Sequence, residues 1–97
     1  MEEKNAALYR SLAQLAARYG AEKLVLFGSR ARNDCTDVSD IDLAIYGMPE
    51  ENRSRFWWEA EALPTLLKLD IVHMADSPDP AFGETVAREG VTLYEKN

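Results

Sequence analysis

Asp40 and Asp42 are the residues of this 97-residue chain whose type and spacing best suit chemistry. Side chains two residues apart on a β-strand point to the same face, so the two carboxylates are predicted to project together while Ile41 and Leu43 turn toward a core. Adjacent carboxylates repel each other and raise one another's proton affinity, and a cation between them removes that cost. The pair therefore predicts a site for a hard divalent cation.

A third carboxylate, Asp70, interrupts the apolar run from Leu66 to His73. If that run forms a strand beside the one carrying Asp40 and Asp42, the three carboxylates make an oxygen-rich site of the kind that Mg²⁺ prefers. The alternatives are a solvent-facing edge strand for the pair and a surface acid at a strand end for Asp70. Asp76 is a less favoured candidate for the third ligand.

Gly28 and Ser29 directly follow the apolar run from Lys23 to Phe27 and precede a predicted helical turn that ends at Arg32. Glycine lets the backbone approach a ligand closely, and exposed N–H groups with a hydroxyl suit an anion. The sequence predicts a phosphate-binding turn here. Arg30 and Arg32 are candidates for charge-assisted hydrogen bonds to the phosphate, the alternative being surface ion pairs with nearby acids.

The helices and strands that must position these residues are read from apolar periodicity and from Gly and Pro punctuation. We predict a helix over Glu2 to Tyr19, strands over Lys23 to Phe27 and Asp40 to Tyr46, a helix over Glu51 to Leu63, a strand over Leu66 to His73, a helix over Ala81 to Glu89 and a strand over Val91 to Tyr94. The order α-β-β-α-β-α-β predicts an α/β (α+β) fold with a small mixed β-sheet of about four strands flanked by helices. One domain is expected to span residues 1–97.

Composition excludes several classes of protein. Hydrophobic residues make up 46% and charged residues 29% of the sequence, as in ordinary globular domains. No run approaches the ~20 apolar residues of a membrane span, the N-terminus lacks a secretory pattern, and the single cysteine, Cys35, excludes an internal disulfide, so we expect a cytoplasmic protein. The net charge of -6 disfavours binding to duplex DNA.

Two segments together resemble a known family. Leu26 to Arg32 and Ser39 to Leu43 resemble the Gly-Ser and Asp-x-Asp signature of the DNA polymerase β-like nucleotidyltransferases, specifically their minimal, stand-alone MNT branch. The resemblance is close over residues 23–45 and looser through Asp70 to the C-terminus. It implies the nucleotidyltransferase fold and the following site: Gly28 and Ser29 on the triphosphate, Asp40 and Asp42 on two Mg²⁺ ions, and Asp70 completing the metal site.

Asn33 departs from the glycine that often stands at this position of the family motif. Asparagine tolerates a positive φ angle better than most residues, because its short side chain bonds locally to the backbone. We therefore expect the turn to be preserved.

The resemblance implies in-line attack of a hydroxyl on the α-phosphate of a nucleoside triphosphate, with pyrophosphate leaving. Family members of this size are commonly paired with an all-helical HEPN protein, a ribonuclease-like toxin, and neutralise it by transferring AMP to it. The expected function is thus a Mg²⁺-dependent antitoxin enzyme that adenylylates a HEPN partner with ATP. Base preference is open, because phosphate and metal ligands do not contact the base.

Two other functions compete with this one. A non-catalytic binding module would neutralise its partner by masking it, with Trp57 and Trp58 near the contact; these adjacent residues point about 100° apart on the predicted helix, so at least one is expected to be exposed. A nucleotidyltransferase acting on a small hydroxylated antibiotic would need an acceptor pocket, which so short a chain would form by assembling into a homo-oligomer.

Overall fold

The structure, a computed structural model, describes residues 3–77 and 79–97. Its helices and strands alternate along most of the chain. They are α1 (Ala6–Arg18), β1 (Lys23–Phe27), α2 (Ser29–Arg32), β2 (Ile41–Tyr46), α3 (Glu50–Glu61), β3 (Leu69–His73), α4 (Pro80–Glu89) and β4 (Val91–Glu95), with short 3₁₀ turns at Glu3–Asn5 and Met74–Asp76.

The four strands form one mixed sheet in the order β3-β2-β1-β4. β1 runs antiparallel to both of its neighbours, whereas β2 and β3 run parallel. The central strand β1 is an almost continuous apolar run because helices cover both faces of the sheet. The predicted fold class, a small mixed sheet flanked by helices, is confirmed.

Alternation along the strands divides the core into two layers. One face packs against α1 and α3 and forms the larger cluster, which includes Leu12, Leu24, Leu43, Ile45 and Phe56. The opposite face packs against α4 through a smaller cluster built on Val25, Ala44 and Val86. Asp42 shares its strand face with Ala44, so the predicted acidic site lies on the side of the sheet that α4 covers.

Several predicted boundaries differ from the structure by one to four residues, and two of the differences have clear local reasons. β3 begins at Leu69 and not at Leu66, because the chain bends at residues 63–64 and 66–67. The Leu67 N–H donates there to Thr65 Oγ1 at 3.1 Å, and Leu66 is fully exposed. α4 begins at Pro80, one residue before the predicted start at Ala81. Asp79 caps this helix by accepting a hydrogen bond from the Ala81 N–H at 2.9 Å, and proline suits the first helical position because it has no N–H to satisfy.

None of the helices among residues 3–77 and 79–97 combines the length and the apolar character required to cross a bilayer.

The layered core predicts a large difference between two chemically identical substitutions. Leu24→Ala removes a fully buried side chain from the centre of the sheet and should lower the free energy of unfolding by about 2–5 kcal/mol. Leu66→Ala, at a fully exposed position, should change it by less than about 0.5 kcal/mol. Urea denaturation of both variants measures the difference, and equal midpoints would contradict the described packing.

Candidate active site

The strand register places Asp42 directly beside Asp70. These residues are paired across the parallel β2–β3 ladder, so their side chains project from the same face of the sheet. The two carboxyl groups lie within hydrogen-bonding reach of each other. The sequence-based expectation that the strand bearing Asp70 lies next to the strand bearing Asp42 is therefore confirmed in its geometry.

Asp40 lies immediately before β2 and contributes a third negative charge. Burial and neighbouring charge together raise the pKa of Asp42 above its usual range: partial burial is the largest cause, followed by repulsion from Asp70 and then from Asp40. The positive charge of Arg32 acts in the opposite direction. The site thus has a strong negative potential that a cation would relieve.

Gly28 forms the other wall of the site. Phe27, the last residue of β1, pairs with Asp42, so the chain turns at Gly28 against the acidic pair. Gly28 has φ 75° and ψ −158°, a region that is essentially restricted to glycine. A Cβ at this position would overlap the Asp42 carboxylate, whose Cγ would lie only 3.2 Å away. The absent side chain is what allows turn and carboxylate to meet.

The predicted helical turn after Gly28 is present as α2. Ser29 is its first residue, and the N–H groups of Ala31 and Arg32 both donate to the Gly28 carbonyl, at 3.1 and 3.2 Å. Asn33 ends the turn in the left-handed conformation, with φ 64° and ψ 27°. The expectation that asparagine would preserve the turn with a positive φ is therefore confirmed.

Arg32 lies at the surface beside the acidic pair. Its Nε donates to Asp34 at 3.1 Å and its Nη1 to Glu89, near the end of α4, at 3.3 Å. These two hydrogen bonds, that to Asp34 above all, raise the pKa of Arg32. The pairing with Asp34 could be anticipated from proximity in sequence, whereas the pairing with Glu89 depends on the fold.

Arg30 does not face the site surface. Only 2% of it is exposed, and its guanidinium donates to backbone carbonyls of Thr36, Asp37 and Ser39. The guanidinium is thus engaged by the segment before β2 and not by the surface of the Gly28 turn, and its role as a phosphate ligand stays a prediction. The burial of Arg30 could not be predicted from the sequence, because an arginine between Ser29 and Ala31 gives no sign of it.

The donor set fits a hard divalent cation in kind, because Asp40, Asp42 and Asp70 offer carboxylate oxygens beside the Gly28 turn. As the side chains lie, no three His, Cys, Asp or Glu residues of the described chain already form a metal cage. A cation held by all three carboxylates would therefore require side chains to turn from these positions. The backbone brings the three aspartates close together, and binding of the cation would turn their carboxylates toward one point.

Comparison with known proteins gives a consistent result. The family described as Polymerase beta, Nucleotidyltransferase matches residues 10–97. No curated protein matches significantly. A solved structure described as a candidate minimal nucleotidyltransferase is 30% identical, with 92% of each chain covered and a TM-score of 0.75.

More distant solved structures share the fold. A toxin-antitoxin structure with AMP-PNP is 20% identical over 92% of this chain and 74% of that chain, with a TM-score of 0.71. A mutant of the toxin-antitoxin MntA-HpeT is 18% identical over the same shares, with a TM-score of 0.70. A nucleotidyltransferase candidate from Sulfolobus solfataricus is 21% identical over 93% of this chain and 79% of that chain, with a TM-score of 0.56.

The contact between Gly28 and Asp42 predicts opposite effects of alanine at two glycines. Gly28→Ala should destabilise the protein by about 1–3 kcal/mol from backbone strain alone, with further loss from overlap with the Asp42 carboxylate. The matched control is Gly83→Ala in α4, where a Cβ meets nothing within 4 Å, and this should stabilise by up to about 1 kcal/mol. Thermal unfolding measures both, and a neutral Gly28→Ala would contradict the assigned turn.

Repulsion at the acidic pair predicts that Asp70→Asn stabilises the metal-free protein at pH 7. Because the folded-state pKa of Asp42 is raised above its unfolded value, its contribution to stability is complete at low pH and is lost as pH rises through the folded pKa. Asp70→Asn should make this loss smaller, so its advantage should disappear below about pH 4.

Urea denaturation from pH 3 to pH 8 with EDTA tests this expectation. The control is Asp37→Asn, at an exposed residue paired only loosely with Lys4 at 3.5 Å, which should change the unfolding free energy by less than about 0.5 kcal/mol. A less stable Asp70→Asn variant at pH 7 would show that attraction, not repulsion, dominates between the two side chains.

Proposed function

The chain belongs to the polymerase β nucleotidyltransferase family, within its minimal branch, and from this premise we propose that it transfers AMP from ATP to a hydroxyl group on a partner protein. The observation that carries the proposal is the convergence of the Gly28 turn with the Asp42–Asp70 pair. A phosphate bound at the turn would therefore lie next to the carboxylates that would hold its Mg²⁺ counter-ions.

The proposed roles follow from where each group lies. Gly28 and Ser29 would bind the triphosphate through the turn, while Asp40, Asp42 and Asp70 would hold Mg²⁺. Two Mg²⁺ ions bound there would neutralise charge on the entering and leaving oxygens. Arg32 is the one predicted arginine at the surface near Asp42, and an incoming phosphate would compete for it with Asp34 and Glu89.

In the proposed step, the acceptor hydroxyl oxygen attacks the α-phosphorus and forms the new P–O bond. The bond between the α-phosphorus and the bridging oxygen breaks on the opposite side, and pyrophosphate leaves with that electron pair. The hydroxyl proton passes to the Asp70 carboxylate, which is exposed enough to meet an acceptor. Asp42, more buried, serves to fix the site.

The proposed acceptor is a HEPN-type toxin. Both proteins would act in the cytoplasm, and residues 1–97 would form one domain. Support comes from the fold shared with two toxin-antitoxin structures, one of them with AMP-PNP. The open setting of the acidic pair at the sheet surface also suits a protein acceptor, since a hydroxyl presented by a folded partner can approach it directly. In this role the chain is an antitoxin.

Intact mass spectrometry of the chain mixed with the product of its neighbouring gene, ATP and Mg²⁺ tests the proposal. We expect AMP adducts on the neighbour, and a loss of at least about 100-fold in their rate with the Asp40→Asn/Asp42→Asn double variant, because metal and phosphate charge would no longer be balanced. Asp37→Asn, outside the pair, is the matched control and should retain full transfer. No adduct on a neighbour that forms a stable complex would refute adenylylation.

A second function is favoured by one observation on the other side of the sheet. Trp57 and Trp58 on α3 are 49% and 70% exposed, and their rings meet edge to face with centroids 5.7 Å apart. Their neighbour Phe56 packs in the core, whereas neither tryptophan belongs to the core cluster. Exposed tryptophans of this kind commonly anchor protein interfaces, which suits a module that neutralises its partner by masking it.

Measuring toxin neutralisation beside AMP transfer in the same mixture separates the two functions. If the Asp40→Asn/Asp42→Asn variant still neutralises the toxin while Trp58→Ala does not, masking through α3 is the function. If the variant fails and Trp58→Ala retains transfer, the chemistry is the function.

A further inference from the structure

Arg30 is the one charged residue that the described part of the chain buries, and its guanidinium spans two parts of the site. It belongs to α2, which begins directly after the Gly28 turn. Its Nε and Nη2 both donate to the Ser39 carbonyl, at 3.0 and 2.8 Å, and Nη2 also donates to the Thr36 and Asp37 carbonyls at 3.3 Å. Ser39 is the residue immediately before Asp40.

These hydrogen bonds hold a small turn. The Thr36 N–H donates to Ser39 Oγ at 2.9 Å and the Ser39 N–H donates to the Thr36 carbonyl at 3.2 Å. These two hydrogen bonds close the turn, and the Arg30 guanidinium connects it to α2. The segment from Asn33 to Ser39 otherwise contains no helix or strand, so these contacts determine where the chain enters β2.

We propose that Arg30 is a positioning residue that sets the place of Asp40 relative to the Gly28–Ser29 turn. The inference rests on the proposed function in that it treats Asp40 as a metal ligand. The planar guanidinium donates from two nitrogens to one carbonyl and reaches two more, a pattern that the single ammonium of lysine cannot reproduce. Arg30→Lys keeps the charge and the approximate length of the side chain. It removes only the planar group that donates from two nitrogens at once.

The test compares Arg30→Lys with Arg18→Lys, a matched substitution at an exposed arginine on α1 that pairs with Glu59 at 3.2 Å. Mn²⁺ binding is measured by the loss of the electron paramagnetic resonance signal of the free ion. Removing a contact that orients a metal ligand typically weakens affinity about 10- to 100-fold. We expect that loss for Arg30→Lys and wild-type affinity for Arg18→Lys, both with cooperative urea unfolding.

Hydrogen exchange of the Thr36 and Ser39 amides provides a second readout that does not depend on a metal. In the wild-type protein these amides should be protected, and in Arg30→Lys they should exchange faster while the amides of β1 remain protected. If wild-type Thr36 and Ser39 exchange as freely as an unstructured chain, the proposal is overturned even when Arg30→Lys fails to fold. Unchanged Mn²⁺ affinity in a folded Arg30→Lys variant also overturns it.

The two readouts separate this proposal from the proposed function. A wild-type chain that binds no Mn²⁺ refutes the metal site, and the exchange measurement then decides whether Arg30 positions the segment before Asp40. A wild-type chain that binds Mn²⁺ equally well after the Arg30→Lys change keeps the metal site and refutes the role of Arg30.

Discussion

The parallel pairing of β2 with β3 is the constraint on which the acidic site depends. Hydrophobic packing fixes this register, because Leu69 and Ile71 of β3 lie beside Ile41 and Leu43 of β2 and share the face covered by α1 and α3. A slip of one residue would bring the apolar side chains of β3 to the wrong face and carry Asp70 away from Asp42. The apolar core therefore determines which carboxylates meet, even though it contributes no ligand to the site.

Much of this arrangement could be predicted from local sequence. The strand β1, the turn at Gly28 and the left-handed Asn33 follow from short-range patterns, and alternation correctly assigned Ile41 to the core and Asp42 to the opposite face. What could not be predicted depends on contacts between distant residues. The burial of Arg30 arises only when the segment before β2 folds over α2, and the pairing of Arg32 with Glu89 spans 57 residues.

The two faces of the sheet separate two kinds of surface. The carboxylate pair lies on the face that α4 covers, whereas Trp57 and Trp58 project from α3 on the opposite face. The sheet and the apolar side chains on its two faces lie between these surfaces. Substitutions at the exposed tryptophans can thus accumulate without disturbing the acidic pair, and substitutions at the acidic pair need not alter α3. A minimal domain of this kind can keep one of the two surfaces unchanged while the other changes.

The sheet order also has a consequence for synthesis on the ribosome. β1 receives one neighbour, β2, soon after it emerges, but its other neighbour is β4, so the register of Lys23 with Glu95 waits for nearly the whole intervening chain. Until then a nascent chain exposes the hydrogen-bonding edge of an apolar strand, the kind of edge that recruits other strands into aggregates. Protecting the free edge of β1 during this interval would therefore limit aggregation.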